Sequence, residues 1–168
     1  GQGTWSWWAC EDTNDPIETF FPYLKRVQAA LHLVNGPALK IYSDGRALLR
    51  LAAGVYSMIL NGGYRPEQIL LFGEHQWSPG IRAGIQRLLP FARIVETSAV
   101  LKQLANMGGE TLVSYAQRSW AVMKLGTLLF LPPYTFCGMD DDVLILQSVA
   151  DALQAFEKHH LVALPDMD

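Results

Sequence analysis

The chain is poor in cysteine, in charge and in long apolar runs, and each shortage closes off a class of protein. Only two cysteines occur in 168 residues, Cys10 and Cys137, far apart and in unlike contexts. No C-x-x-C pair and no His/Cys cluster is present, so nothing points to structural zinc. Two isolated cysteines fit free thiols in a reducing compartment, and a cytoplasmic location is expected. Lysine and arginine are scattered and the net charge is −3. With no basic run to track a phosphate backbone, nucleic acid is not an expected partner. No apolar stretch approaches the roughly 20 residues of a membrane span. The longest, Leu125 to Leu131, stops at Pro132-Pro133, so no membrane span is expected. Trp5-Ser6-Trp7-Trp8 runs into Glu11, Asp12 and Asp15, unlike the basic start and apolar stretch of a signal peptide. Internal repeats and low-complexity tracts are also missing.

Half of the residues are apolar and 17% are charged, which favours a packed globule over a disordered tail. The length fits one domain with a real core. The chain opens at Gly1 rather than Met and ends just after an expected strand, so a fragment of a longer protein is expected. Residues 1–37 read as an N-terminal segment carrying a helix, and 38–168 as the main domain, truncated at its C-terminus.

Along the chain, Asp15-Pro16-Ile17-Glu18 has the cap, the first-position proline and the capping-box acid of a helix start. Ile17, Phe21, Leu24, Val27, Leu31 and Val34 continue the helical period, although Pro22 argues for a start nearer Phe21. Asn35-Gly36-Pro37 should end it. Ala38 to Ser43 reads as a buried strand, Asp44-Gly45 as a turn, and Arg46 to Leu60 as a helix stopped by Asn61-Gly62-Gly63. Ile69 to Gly73 is the next strand, Ser78-Pro79 opens a helix carrying Ile81, Ile85, Leu88 and Leu89, and Ala92 to Glu96 is a third strand. Thr97 or Ser98 caps a short helix ending near Gly108-Gly109. A long helix follows from Leu112 to Phe130. Tyr134 to Met139 is a fourth strand, Ser148 caps another helix, and Leu161 to Leu164 is a fifth strand. Short apolar strands alternating with helices predict an α/β domain, a mostly parallel sheet with helices on both faces.

In such a sheet, ligands bind beyond the carboxyl ends of the strands. That rule singles out Asp140-Asp141-Asp142, Ser43-Asp44 and Glu74-His75. The aspartate triplet is the sharpest. Three adjacent carboxylates repel each other unless a cation compensates. Mn²⁺ or Mg²⁺ takes hard oxygen ligands, often one or two carboxylates plus substrate phosphates. In extended chain Asp140 and Asp142 project to one side and Asp141 to the other, so the outer pair can share an ion. The competing reading is a solvated acidic turn. A plain turn, however, usually contains Gly, Asn or Pro, whereas here the chain resumes as Val143-Leu144-Ile145-Leu146.

Met139-Asp140-Asp141-Asp142-Val143-Leu144-Ile145-Leu146 resembles the D-x-D segment of GT-A glycosyltransferases. Trp120-Ala121-Val122-Met123-Lys124-Leu125 resembles the helix that precedes D-x-D in glycogenin-like and related bacterial members. Tyr42-Ser43-Asp44-Gly45 is similar to the end of their first strand, and Leu161 to Asp166 to a later one. The resemblance implies a GT-A, Rossmann-like fold and transfer of a sugar from a UDP- or GDP-sugar to a sugar, lipid or protein acceptor. It implies that Asp140 and Asp142 hold the metal, that Asp141 lies near the donor ribose or sugar, that Lys124 meets the diphosphate or donor sugar, and that Ser43 and Asp44 sit near the base. The metal would neutralise charge on the leaving diphosphate, with Lys124 as an added point charge. On its own residues Lys124 also reads as a surface lysine of an amphipathic helix, and Asp44 as an ordinary Asp-Gly turn.

The family's late histidine ligand and C-terminal acceptor half have no counterpart. His159 and His160 suit a helix C-terminus for dipole reasons. His75 reads as a loop residue, His32 as structural on the first helix, Trp5, Trp7 and Trp8 as packing, Trp120 as core, and Asp166-Met167-Asp168 as a solvated end. Two other readings stay open. A haloacid-dehalogenase-type phosphotransferase also sets D-x-D after a strand, with the first Asp as nucleophile. A non-catalytic nucleotide-sugar-binding or interaction domain is the other.

Overall fold

The computed structural model describes residues 18–73 and 75–159. The expected helix start at Asp15-Pro16, the N-terminal tryptophans, Cys10, Glu74, His160, the strand at Leu161 to Leu164 and the Asp166/Asp168 pair lie outside them.

Six buried residues in a row make Ala38–Ser43 the central strand β1, and five more make Ile69–Gly73 its neighbour β2. Such runs arise where both sheet faces are covered. Ala92–Val95 (β3) and Phe136–Asp140 (β4) are more exposed and flank them. The order is β3-β2-β1-β4, and every pair is parallel. This is the α/β architecture expected from the alternation of elements.

The period-2 alternation of the strands sorts side chains into two cores. Leu39, Ile41, Ile69 and Leu71 pack with α1 (Phe21–Ala30), α2 (Leu48–Leu60), α3 (Pro79–Leu88) and α6 (Ala150–His159). Tyr42, Leu70 and Phe72 pack with α4 (Thr97–Arg118) and α5 (Trp120–Phe130). Lys40 also belongs to β1 and is fully buried. Its Nζ donates to Leu128 O at 2.8 Å and Leu131 O at 2.5 Å, and lies 4.2 Å from the Phe136 ring centroid. The ammonium therefore caps the C-terminal, negative end of α5 from inside the sheet.

Several boundaries differ from expectation. A 3-10 turn, Glu18–Phe20, leads into α1, and Pro22 sits in its first turn, where the missing N–H costs nothing. The helix ends at Ala30 rather than Val34. Asn35 ties the chain elsewhere, donating to Gly63 O and accepting from Arg65 N. His32 thus lies past α1 and is exposed rather than structural. Helix α2 starts at Leu48 because Arg46 N is bonded to the Asp44 carboxylate at 2.8 Å. Ser78 caps α3, accepting from Ile81 N.

The largest departure concerns the two helices before β4. Gly109 adopts φ 63°, ψ −164°, outside the helical region, so α4 is two helical pieces that meet where the sequence expects the first helix to end. A second break falls at Ser119, inside the helix expected from Leu112 to Phe130. There the chain folds back, so that Ala116 of α4 and Met123 of α5 both reach the same core. Gly126 permits the close approach, since a Cβ there would lie 2.9 Å from Leu104 Cδ2.

After β4 the chain crosses α2 rather than forming a strand. Ile145 N donates to Ser57 Oγ and Ile145 O accepts from Asn61 Nδ2, both at 2.9 Å. Gly54 makes room, because a Cβ would come within 2.7 Å of Val143 O. Gly54, Ser57 and Asn61 share one helix face, which becomes the bed for this segment.

Lys40→Met should destabilise the protein by about 1–3 kcal/mol at pH 7, as two helix-end carbonyls lose their donor. Burial pushes the Lys40 ammonium down to about 8. An unfolded lysine stays protonated to about 10.4, so the unfolded chain binds more protons between these values. The burial penalty is full below pH 8 and is relieved as pH rises towards 10.4. Urea denaturation at pH 7 and pH 10 should show wild type gaining on Lys40→Met as pH rises.

Candidate functional site

Strands β1 to β3 step outward in one direction, and β4 then returns to the opposite edge of β1. A crevice opens at such a reversal, beyond the carboxyl ends of the two strands that flank it. In register Tyr42 faces Asp140, so the β1–α2 turn and the end of β4 leave the sheet side by side. Ser43, Asp44, Asp140, Asp141 and Asp142 therefore gather at one point from positions nearly 100 residues apart.

The extended chain ends at Asp140, and Asp141 and Asp142 lie in a turn rather than continuing the strand as the sequence predicts. Asp140 is the last strand residue and its carboxylate, about half exposed, forms an ion pair with the Lys124 ammonium from α5. Asp141 points to the α2 side and is 15% exposed. Ser43 Oγ donates to its Oδ2 at 2.5 Å, and Arg50 Nη2 lies 3.5 Å from its Oδ1. Gly45 N donates to the same Ser43 hydroxyl at 3.0 Å. Asp142 is exposed at the start of the segment that crosses α2. The acids are thus compensated from both sheet faces, by Lys124 on one and Arg50 on the other.

Asp44 is engaged locally. Its carboxylate accepts from Arg46 N and lies 3.5 Å from Arg46 Nε, while Gly45 takes φ 76°. This is the Asp-Gly turn that the residues by themselves predict. Trp77, buried, packs under the turn, and its Nε1 would lie 2.9 Å from a Cβ at Gly45 and 2.8 Å from one at Gly73. Glycine at the ends of β1 and β2 admits this indole.

A cleft of about 360 Å³ opens on the α4–α5 side beside Tyr42, the residue before Ser43, lined by Tyr42, His75, Gln117, Arg118, Trp120 and Met123 among others, with none of the aspartates in its wall. Trp120 is 60% exposed, not a core residue. The break at Ser119 starts a new helix there and turns the indole to the cleft, with Lys124 Nζ 5.9 Å from its ring centroid. His75, expected in a loop, lines the same cleft. Arg50, Gln117 and Arg118 carried no motif. Only the tertiary structure brings Arg50 to Asp141 and Gln117 and Arg118 to the cleft.

Among the described residues no group of three or more His, Cys, Asp or Glu converges as a ready metal cage. Asp140 and Asp142 are exposed hard oxygen donors two residues apart at the end of β4. That set suits Mn²⁺ or Mg²⁺, which completes its shell with water and phosphate oxygens. His159 is the last, exposed residue of α6. Cys137 is a free thiol on β4, pushed up by burial.

Ser43→Ala leaves the Asp141 carboxylate and Gly45 N without the shared hydroxyl. A loss of about 1.5–3 kcal/mol is expected for a hydrogen bond to a charged group. Chemical denaturation should show most of it restored in Ser43→Thr.

No family model, no curated protein and no solved structure matches this chain.

Proposed function

We propose that the chain is the nucleotide-sugar-binding part of a metal-dependent glycosyltransferase. One observation carries the reading: a D-x-D pair ends β4 beside the end of β1, where the strand order reverses and a cleft adjoins. A nucleoside diphosphate needs a charge partner for its phosphates and a recess for its base, and both features lie together here. Asp140 and Asp142 would hold Mn²⁺ or Mg²⁺. The ion, when bound, would neutralise charge on a departing diphosphate.

This chain's own residues supply the rest. Lys124 offers a mobile point charge to a phosphate. Asp141, held by Ser43 and Arg50, offers a fixed acceptor to a sugar or ribose hydroxyl. Ser43 and the Asp44 turn form the rim nearest the base, and Trp120 gives a flat apolar face. The donor would be a UDP- or GDP-sugar, and the acceptor a sugar, lipid or protein. No described helix is long and apolar enough to cross a membrane. The free Cys137 is in keeping with a reducing, cytoplasmic setting.

Titration with UDP or GDP should reveal binding that requires Mn²⁺. Asp142→Ala should weaken it at least tenfold, on the scale of about 10–100-fold seen for lesser changes around metal sites. Phosphoester hydrolysis abolished by Asp140→Ala would instead mark a phosphotransferase. Nucleotide affinity indifferent to metal overturns the reading.

A further inference from the structure

The cleft on the α4–α5 side is built unlike the acidic corner at the end of β4. Its floor is apolar and buried, with Tyr42 of β1 and Met123 of α5. Its rim carries Arg118, the last residue of α4, and Trp120, the first of α5. Ser119 between them is extended, at φ −131° and ψ 111°, and the residues on either side of an extended one project the same way. The break thus delivers a guanidinium and an indole to one wall. Gln117 adds an amide, and Thr97, at the start of α4, adds a hydroxyl.

We propose that this cleft binds a planar ring bearing an anionic group, a phosphate or a carboxylate, with the ring on Trp120 and the anion on Arg118, and that it needs no metal to do so. The inference goes beyond the metal-dependent reading and does not rest on it. Charge fixes the sign of the ligand. Among the described residues no carboxylate lines the cleft. Glu96, next to Thr97, already accepts two bonds from Arg82, at 2.7 and 2.6 Å, and Asp140 is paired with Lys124. Arg46, Arg50, Arg82 and Lys124 each meet a carboxylate, whereas Arg118 meets none among the described residues. A guanidinium presents its donors in a planar fork that matches a carboxylate or a phosphate. The indole fixes the shape of the ligand. Trp120 keeps 60% of its surface exposed even with Lys124 Nζ 5.9 Å from its ring centroid. A large flat face held open at the lip of a cleft is a platform for stacking. The volume of about 360 Å³ lies at the small end of ligand pockets, room for one ring system and its anion.

The two groups divide the affinity in a way that can be read separately. Removing the guanidinium costs only those ligands that carry the anion. Removing the indole costs ringed ligands with or without it. Loss of fold does not separate the two, and a diffuse positive field responds to the loss of any cation.

The test is calorimetric titration of the 168-residue protein in EDTA with two pairs of probes, uridine monophosphate against uridine and benzoate against benzamide. In at least one pair the anion should bind about tenfold more tightly than its neutral partner, and that pair identifies the source as a nucleotide or an aryl acid. Arg118→Gln should remove the preference and leave the neutral partner unchanged. Trp120→Ala should weaken both members about fivefold or more. Lys158→Gln takes an equal charge from α6, on the opposite sheet face, and should change nothing. No preference for the anion in either pair overturns the proposal, and so does equal weakening by Arg118→Gln and Lys158→Gln. Uridine monophosphate binding that appears only when Mn²⁺ replaces EDTA overturns it too, while the metal-dependent reading survives. Binding in EDTA that Mn²⁺ does not strengthen upholds the cleft and removes the metal-dependent reading.

Discussion

The buried ammonium of Lys40 is the constraint around which the rest of the site is built. It sits in the central strand, buried along its whole length, and reaches the end of α5. A charge in such a position is costly unless its hydrogen bonds are made. The two carbonyls at the end of α5 and the Phe136 ring meet that demand together. In return α5 is pinned against β1 and β4 at one depth and rotation. Lys124 lies one turn before Leu128 on the same face, so pinning Leu128 also aims Lys124 at the end of β4.

From that anchor the charge balance at the crevice follows. Three consecutive carboxylates at a strand end are destabilising in isolation. The fold resolves this without removing them. Asp140 turns to Lys124, and Asp141 to Ser43 and Arg50, while Asp142 faces water. Each partner comes from a different element, and all the elements are fixed by the parallel register of β1 with β4. The compensation is incomplete, because Asp140 is about half exposed and Asp142 is exposed.

Legibility in the sequence followed burial and locality. β1 and β2 were readable to the residue because central parallel strands are unbroken apolar runs. Ser78-Pro79 was readable because a cap and a first-turn proline act within four residues. The break at Ser119 was not, for Gly108-Gly109 is the louder local signal and Ser119 is an ordinary helix residue by propensity. With the breaks at Gly109 and Ser119, residues of both α4 and α5 reach the core around Tyr42 and Phe72. Trp120 was misjudged for the same reason, since its apolar neighbours belong to a helix that begins with it. Of the site, Asp140 to Asp142 and the Ser43 turn were legible, because strand ends are local features. Arg50 and the walls of the cleft were not, being brought in by the tertiary structure.

The amino-acid pattern by itself determined the class of fold, the strands at the centre of the sheet, and the position of the acids at a strand end. Those properties depend on period, length and turn chemistry, which act over a few residues. Only the tertiary structure decided which strand lies beside β1, where the helix pair breaks, and which cation meets which carboxylate. The placement of β4 on the open edge of β1 joins residues about a hundred apart, and no local preference encodes that pairing. It is set by burying both faces of one sheet at once, with Lys40 hydrogen-bonded inside it.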